Sequence, residues 1–275
     1  ALPTPVTVHD WVREAATRLA MAGVDSSRLE AQLLAAKSQG TERTSVLAHP
    51  RAVAPAVAEE LLARRLAGEP LAYILGYREF YGRRFGVNPS VLIPRQETEI
   101  VVETALKLAQ DGARVLDVGT GSGCIAITLK LERPDLEVSG VDISSAALET
   151  ARANAEHLDA DVGISESDLF EGIRGTFDLI VSNPPYIADG AELPREIRDH
   201  EPGRALFAGP DGMHVYGRIA ESARPPLVAG GFLVLELGDG MAGRVQAVFE
   251  VSGWEVVAVH PDLGGMPRAM VLRRR

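Results

Sequence analysis

The chain has 275 residues, 46% of them hydrophobic, with a net charge of -10 and a pI of about 5.2. That composition supports one large domain, or a large and a small one, with ample core. It argues against a life on a phosphate backbone, which would call for a basic face. The only cysteine, Cys124, excludes an intramolecular disulfide and a cysteine-based zinc site, and the six histidines are scattered without ligand spacing, so no metal is expected. The opening ALPTPVTVHDW lacks the charged region and apolar run of a secretory signal. No apolar run approaches the ~20 residues needed to span a bilayer. A cytoplasmic protein without membrane attachment is expected.

In chain order, the first ~70 residues read as helices by their spacing. Thr7 and Asp10 form a Thr-x-x-Asp start, followed by Trp11, Val12, Ala15, Ala16 and Leu19 at helical intervals, with Gly23 as the stop. Ser27-x-x-Glu30 reads as a second capping box, with Gly40 after the helix end. A third helix is predicted from about Pro55 to Leu66, closed by Gly68 and Pro70. No catalytic cluster is visible, so residues 1–75 read as a helical accessory domain. Residues 76–94 change character: aromatic and β-branched residues punctuated by Gly82, Gly86 and Asn88-Pro89 predict a β-hairpin linker.

From residue 95 to 275 strands and helices alternate. Strands are predicted at Arg114–Val118, Val138–Asp142, Phe177–Ser182 and Phe232–Leu237, with helices near Ile125–Leu131, Ser145–His157 and Tyr216–Val228. A final strand pair is predicted at Trp254–Val259 and Arg268–Leu272. This pattern implies an α/β domain with a mostly parallel, Rossmann-like sheet covered by helices on both faces.

Two motifs carry chemistry. VLDVGTGSG (115–123) is a strand entering a glycine-rich turn, where Gly119, Gly121 and Gly123 let the backbone approach a ligand and the following helix offers unpaired N–H groups. The next strand ends in Asp142, where an acid can accept from ribose hydroxyls. The pattern admits NAD or S-adenosylmethionine. The Gly-x-Gly-x-Gly spacing and Asp117 at the strand end, placed to face a ligand ammonium or sulfonium, favour the second; a turn-bonding Asp117 is the alternative. Asp168, after a predicted short strand, is either an adenine-binding acid with an apolar neighbour or a plain turn residue.

The second motif, FDLIVSNPPYI (177–187), places Asn183-Pro184-Pro185-Tyr186 after an apolar strand, where open α/β sheets bind ligands. An amide nitrogen is a poor nucleophile because its lone pair is delocalised. The Asn183 side-chain oxygen and the Pro184 carbonyl can accept its two N–H groups and aim the lone pair, while the prolines stiffen the loop and Tyr186 stacks on the plane. Attack on a sulfonium methyl requires no metal and no strong base.

At this point the chain resembles a known family along nearly its whole length, the peptide chain release factor glutamine N5-methyltransferases (the PrmC/HemK group). The matching stretches are REFYGRRFGVNPSVLIPRQETE (78–99), LDVGTGSGCIAI (116–127), VDISSAALETARANA (141–155), SDLF (167–170), FDLIVSNPPYI, EPGRALFAGPDGMHVYGRI (201–219) and GGFLVLELG (230–238). The Asn-Pro-Pro-Tyr motif alone is shared with adenine-N6 DNA methyltransferases, but the base-reading domain and basic groove they need are not visible. A sister enzyme acting on a ribosomal-protein glutamine shares the same chemistry.

The resemblance implies a helical domain that docks the protein substrate and a class I methyltransferase domain. It implies S-adenosyl-L-methionine, converted to S-adenosyl-L-homocysteine, held by Asp117, Gly119, Thr120, Gly121, Ser122, Gly123, Asp142, Ile143, Asp168, Leu169 and Asn183. It implies that Asn183, Pro184, Pro185 and Tyr186 hold the glutamine of a Gly-Gly-Gln motif in class 1 release factors, with no DNA partner and a monomeric state. One departure is Gln96, where the family usually has Pro in Pro-Arg-Pro-Glu-Thr-Glu; Arg95, Glu97 and Glu99 remain, as surface salt-bridge formers or as a cofactor gate.

Overall fold

The computed structural model describes residues 6–274, which divide into two compact units. One runs to Gly76 and also takes in Pro194–His200; the other comprises Tyr77–Leu193 and the chain from Glu201 onward.

The first unit is helical: α1 (Val8–Met21), α2 (Ser27–Gln39), α3 (Arg43–Ala48), α4 (Val57–Leu66) and α5 (Leu71–Leu75). The Thr7 side chain caps α1 by accepting from the Asp10 N–H, satisfying one of the unpaired amides of the first turn. Val8, Trp11, Ala15 and Leu19 form the buried face of α1, against Leu34 and Ala35 of α2 and Leu62 of α4. The second capping box does not form. Ser26 flanks α2 without a side-chain bond, and the Glu30 carboxylate instead accepts from Nε of buried Arg65 at 2.7 Å. A charge-assisted bond to a buried guanidinium outweighs a cap. The α4 helix starts at Val57, two residues later than predicted, because the Pro55 carbonyl closes a turn with Ala58. The helices α3 and α5 are too short to leave a periodic signal.

The second unit opens with a hairpin, β1 (Tyr77–Phe80) and β2 (Arg83–Gly86), paired antiparallel. Both loop residues, Tyr81 (φ 50°) and Gly82 (φ 72°), are left-handed, the geometry that matches strand twist in a two-residue turn. A short 3₁₀ turn (Gln96–Thr98) leads into α6 (Glu99–Leu108). Then follow β3 (Arg114–Val118), α7 (Cys124–Glu132), β4 (Glu137–Asp142), α8 (Ser145–His157), β5 (Gly163–Glu166) and β6 (Phe177–Ser182). The helix α9 (Arg195–His200) belongs to the first unit; α10 (Gly203–Leu206), α11 (His214–Ser222), β7 (Leu227–Glu236), α12 (Ala242–Val251), β8 (Trp254–Pro261) and β9 (Pro267–Arg274) complete the second.

The seven strands lie in the order β5-β4-β3-β6-β7-β9-β8. Pairs from β5 through β7 are parallel, and β9 joins β7 and β8 antiparallel. This is the Rossmann-like, mostly parallel sheet the alternation predicts. Its strands read as apolar runs because both faces are covered: Val115, Leu179 and Val181 enter one core, and Leu116, Val118 and Ile180 the other. The predicted helix Tyr216–Val228 stops at Ser222. Pro225 and Pro226 cannot extend it, and Leu227 already begins β7, five residues before the predicted start. An irregularity in pairing between Phe177 and Leu179, beside Gly230 and Gly231, conceals that first part of the strand from the sequence pattern.

The register aligns the carboxyl ends of four neighbouring strands. Val118 faces Val141 and Ser182, and Asp142 faces Glu166. The segments after them, 119–123, 143–144, 167–169 and 183–186, therefore emerge side by side.

Candidate active site

The glycine turn is tied to the neighbouring strand. The N–H groups of Gly119 and Thr120 both donate to the Val141 carbonyl, at 2.8 and 2.9 Å, and Gly121 N–H donates to Asp142 Oδ2 at 2.9 Å. The three glycines serve different ends. A Cβ built at Gly119 or Gly121 would meet no protein atom within 4 Å, whereas one at Gly123 would lie 2.8 Å from Ile127 Cδ1. The first two, left-handed at φ 74° and 54°, leave their flank open to a ligand; Gly123 lets α7 pack.

Asp117 combines its two alternative roles. It is fully buried, and its Oδ2 accepts from the Thr120 hydroxyl at 2.6 Å and from Ala126 N–H at 3.3 Å. Its Oδ1 has no partner among the described residues. Burial pushes the carboxyl up to about 7. A buried acceptor left unpaired is costly, and a donor's ammonium group fits that need. Thr120 and Ser122 are also buried; Ser122 accepts from Asn154 Nδ2 through its carbonyl at 2.8 Å. Burial pushes the Cys124 thiol up to about 12, so it stays protonated.

Asp142 is held across two strand ends, its Oδ1 accepting from Ser144 N–H at 2.9 Å while Oδ2 holds Gly121. Each carboxylate oxygen keeps further acceptor capacity for hydroxyl groups. Ile143, next in the chain, is an exposed aliphatic side chain. Asp168 is more than a turn residue: it pairs with Arg218 at 2.9 Å. Leu169 is left-handed at φ 52°, a conformation that costs a branched residue energy and marks functional loops. A cavity of about 480 Å³ is lined by Asp168, Leu169, Phe170, Ile173, Arg218 and Pro226 among others, but not by the glycine turn or Asn183. It adjoins one edge of the constellation and is not its centre.

On the other side of β3, the Ser182 hydroxyl donates to the Val118 carbonyl at 2.7 Å. Asn183 is half-buried, and its Nδ2 donates to Thr98 Oγ1 at 3.2 Å. Pro184 is buried, with Pro185 and Tyr186 half-buried. The segment 206–212 clasps this loop: Ile187 N–H donates to Leu206 O, Ala208 N–H to Ile187 O and Asp189 N–H to Gly209 O. A Cβ at Gly212 would collide with the Tyr186 carbonyl oxygen, and one at Gly238 would sit 2.7 Å from the Tyr186 ring. These glycines explain why the stretches at 201–219 and 230–238 accompany the motif. Burial pushes the Tyr186 phenol up to about 12, so it offers a neutral ring and hydroxyl.

The predicted residues thus come together on four adjoining strand ends. Sequence reasoning missed Thr98, Glu236 and Glu201. Glu201 is buried, accepts from Ile93 N–H at 3.0 Å and pairs with Arg95. Glu99 accepts from Tyr81 N–H at 2.8 Å. Arg95 and Glu99 therefore brace the segment before α6. Glu236 left one signal: a charged residue inside the apolar run FLVLELG.

Gln96 opens the 3₁₀ turn, and Arg95 before it is extended (φ -94°, ψ 146°). Both positions suit proline, which is favoured at a first helical position and requires an extended predecessor. Gln96→Pro is therefore expected to stabilise the chain by about 0.4–1 kcal/mol through the unfolded state, read as a small rise in Tm. A fall in Tm would mean that the glutamine N–H is needed.

Comparisons agree with this architecture. Residues 96–198 match the methyltransferase small domain and residues 10–76 the PrmC N-terminal domain. A crystal structure of a methyltransferase from Pyrococcus furiosus superimposes with a TM-score of 0.56 at 21% identity, covering 78% of this chain and 98% of that one, a likeness of fold. The release factor glutamine methyltransferase of Geobacter sulfurreducens is 43% identical over 270 residues, 96% of this chain and 94% of its own. That of Koribacter versatilis is 43% identical over 279 residues, 98% of this chain and 99% of its own. With such identity sustained across both units, the chain belongs to the release factor glutamine methyltransferase family.

Proposed function

We propose that this protein transfers a methyl group from S-adenosyl-L-methionine to the side-chain amide nitrogen (N5) of the glutamine in the Gly-Gly-Gln motif of class 1 peptide chain release factors, and so modulates translation termination. The observation that carries the chemistry is Asn183: its NH₂ is occupied by Thr98, which directs its carbonyl oxygen elsewhere, toward a substrate N–H. When bound, S-adenosylmethionine supplies an electrophilic methyl carbon whose bond to sulfur breaks as the bond to nitrogen forms.

The chain's own residues bind and orient. Asp142 accepts from ribose hydroxyls, the unpaired Asp117 oxygen receives the ammonium end, and Ile143 and Leu169 flank the adenine beside Asp168. The open flank of Gly119 and Gly121 admits the backbone approach this requires. Asn183 Oδ1 and the Pro184 carbonyl accept the two amide N–H groups, with Pro185 holding the loop stiff and Tyr186 against the amide plane. The amide gives up its proton to solvent after transfer.

The helical unit, matching the PrmC N-terminal domain, has the docking role in this reading. The protein works in the cytoplasm as a monomer, and a single sedimenting species of monomer mass checks the latter. Among the described residues no helix is long and apolar enough to cross a membrane.

The test offers labelled donor with purified release factor, ribosomal proteins and duplex DNA. Label is expected in the release factor. Label in a ribosomal protein or in adenine would replace the substrate assignment. A chain beginning at Tyr77 that still binds donor should lose transfer to intact release factor, because docking area is gone; full activity would refute the docking role.

A further inference from the structure

A side-chain amide such as that of Asn183 has two similar ends, and only its oxygen can accept a substrate N–H. If the amide turned over, its NH₂ would face the substrate N–H and repel it. Something must select the orientation, and water cannot do so where the neighbours are dry.

The neighbour is Thr98, 2% exposed, and behind it stands Glu236, 1% exposed, at the carboxyl end of β7. The Thr98 hydroxyl hydrogen-bonds the Glu236 carboxyl, and Asn183 Nδ2 lies 3.2 Å from Thr98 Oγ1. A threonine hydroxyl has one proton to give. An ionised carboxylate only accepts, so that proton goes to Glu236 and the Thr98 oxygen can only accept from Asn183. The reversed amide would set two acceptors against each other. The second carboxyl oxygen of Glu236, Oε2, has no hydrogen-bond partner among the described residues, so the bond to Thr98 is the one contact that accounts for burying this group.

We propose that Glu236 and Thr98 are positioning residues for methyl transfer: the Glu236 carboxylate, acting through the Thr98 hydroxyl, fixes the Asn183 amide with its oxygen toward the acceptor nitrogen. This rests on the assignment of Asn183 above. Burial raises the Glu236 carboxyl to about 7 against the opposing pull of the Thr98 hydrogen bond, Arg268 and Arg95, so the arrangement is complete above neutral pH.

The test uses the full-length protein at pH 8, comparing T98V, T98S, E236Q and N183A, with T98V/N183A as the double variant. Single-turnover transfer to release factor and donor affinity by calorimetry are the readouts. T98V should slow transfer about 10–100-fold, the order expected for misaligned reacting groups, while donor affinity and the KM for release factor hold within about twofold. T98S keeps the hydroxyl and should restore most of the rate. E236Q, whose side chain can accept or donate, should fall between T98V and the unaltered protein. In the N183A background T98V should cost nothing further, since residues acting as one unit are not additive. A T98V protein of normal rate beside a slow N183A overturns the positioning role alone, as does a T98V effect that persists undiminished in N183A. A normal rate for N183A overturns the Asn183 assignment and this proposal with it.

Discussion

Replacing Asn183 with alanine is expected to lower single-turnover methyl transfer by about 10²–10³-fold, the loss typical of removing one positioned polar group at a reacting centre. The half-buried amide is anchored by Thr98, and the loop around it is clasped by backbone bonds from 206–209. The alanine variant should therefore keep its fold and lose only the acceptor for one substrate N–H. Donor affinity should weaken less, because the glycine turn and Asp142 lie on other strand ends. Tyr186→Phe should be milder than Tyr186→Ala, since the ring fills the space against Gly238 and Met241 while the hydroxyl is incidental to stacking. Near-normal transfer by Asn183→Ala would rule out the orientation mechanism.

Replacing Asp142 with alanine should weaken S-adenosylmethionine binding by about 1.5–3 kcal/mol, the range for losing hydrogen bonds to a charged group, or about 10–150-fold in Kd. The structure adds a control. Asp142 also holds the N–H groups of Gly121 and Ser144, so part of any loss comes from loosening the turn. Asp142→Asn keeps one acceptor oxygen for the backbone and should fall between the two. Calorimetry showing unchanged affinity in a folded Asp142→Ala protein would remove Asp142 from the donor site. NAD binding more tightly than S-adenosylmethionine would remove the donor itself.

The features legible in the sequence are local ones. Strand, turn and helix at 114–132 announce themselves through a short apolar run followed by glycines that need left-handed backbone, and Asn-Pro-Pro-Tyr through a rigid dipeptide beside a polar residue. Thr7 and Asp10 likewise interact across three residues. The features that escape depend on distance along the chain. Thr98 meets Asn183 across 85 positions, and Glu30 turns from its expected cap to Arg65 across 35. No short pattern encodes either partner. Asp168 looks bare in the sequence, because Arg218 reaches it only once α11 is folded. The predicted extension of α11 to Val228 fails for a local reason: the apolar spacing on either side masks the stop at Pro225-Pro226.

The most direct measurement of the central claim is the position of the methyl group. Release factor incubated with this protein and S-adenosylmethionine, then digested and sequenced by tandem mass spectrometry, should carry one added methyl on the glutamine side chain of its Gly-Gly-Gln peptide. The same peptide from an incubation with Asn183→Ala should be almost unmodified at equal time. A methyl on any other side chain, or an unmodified peptide when donor binding is intact, would contradict the account.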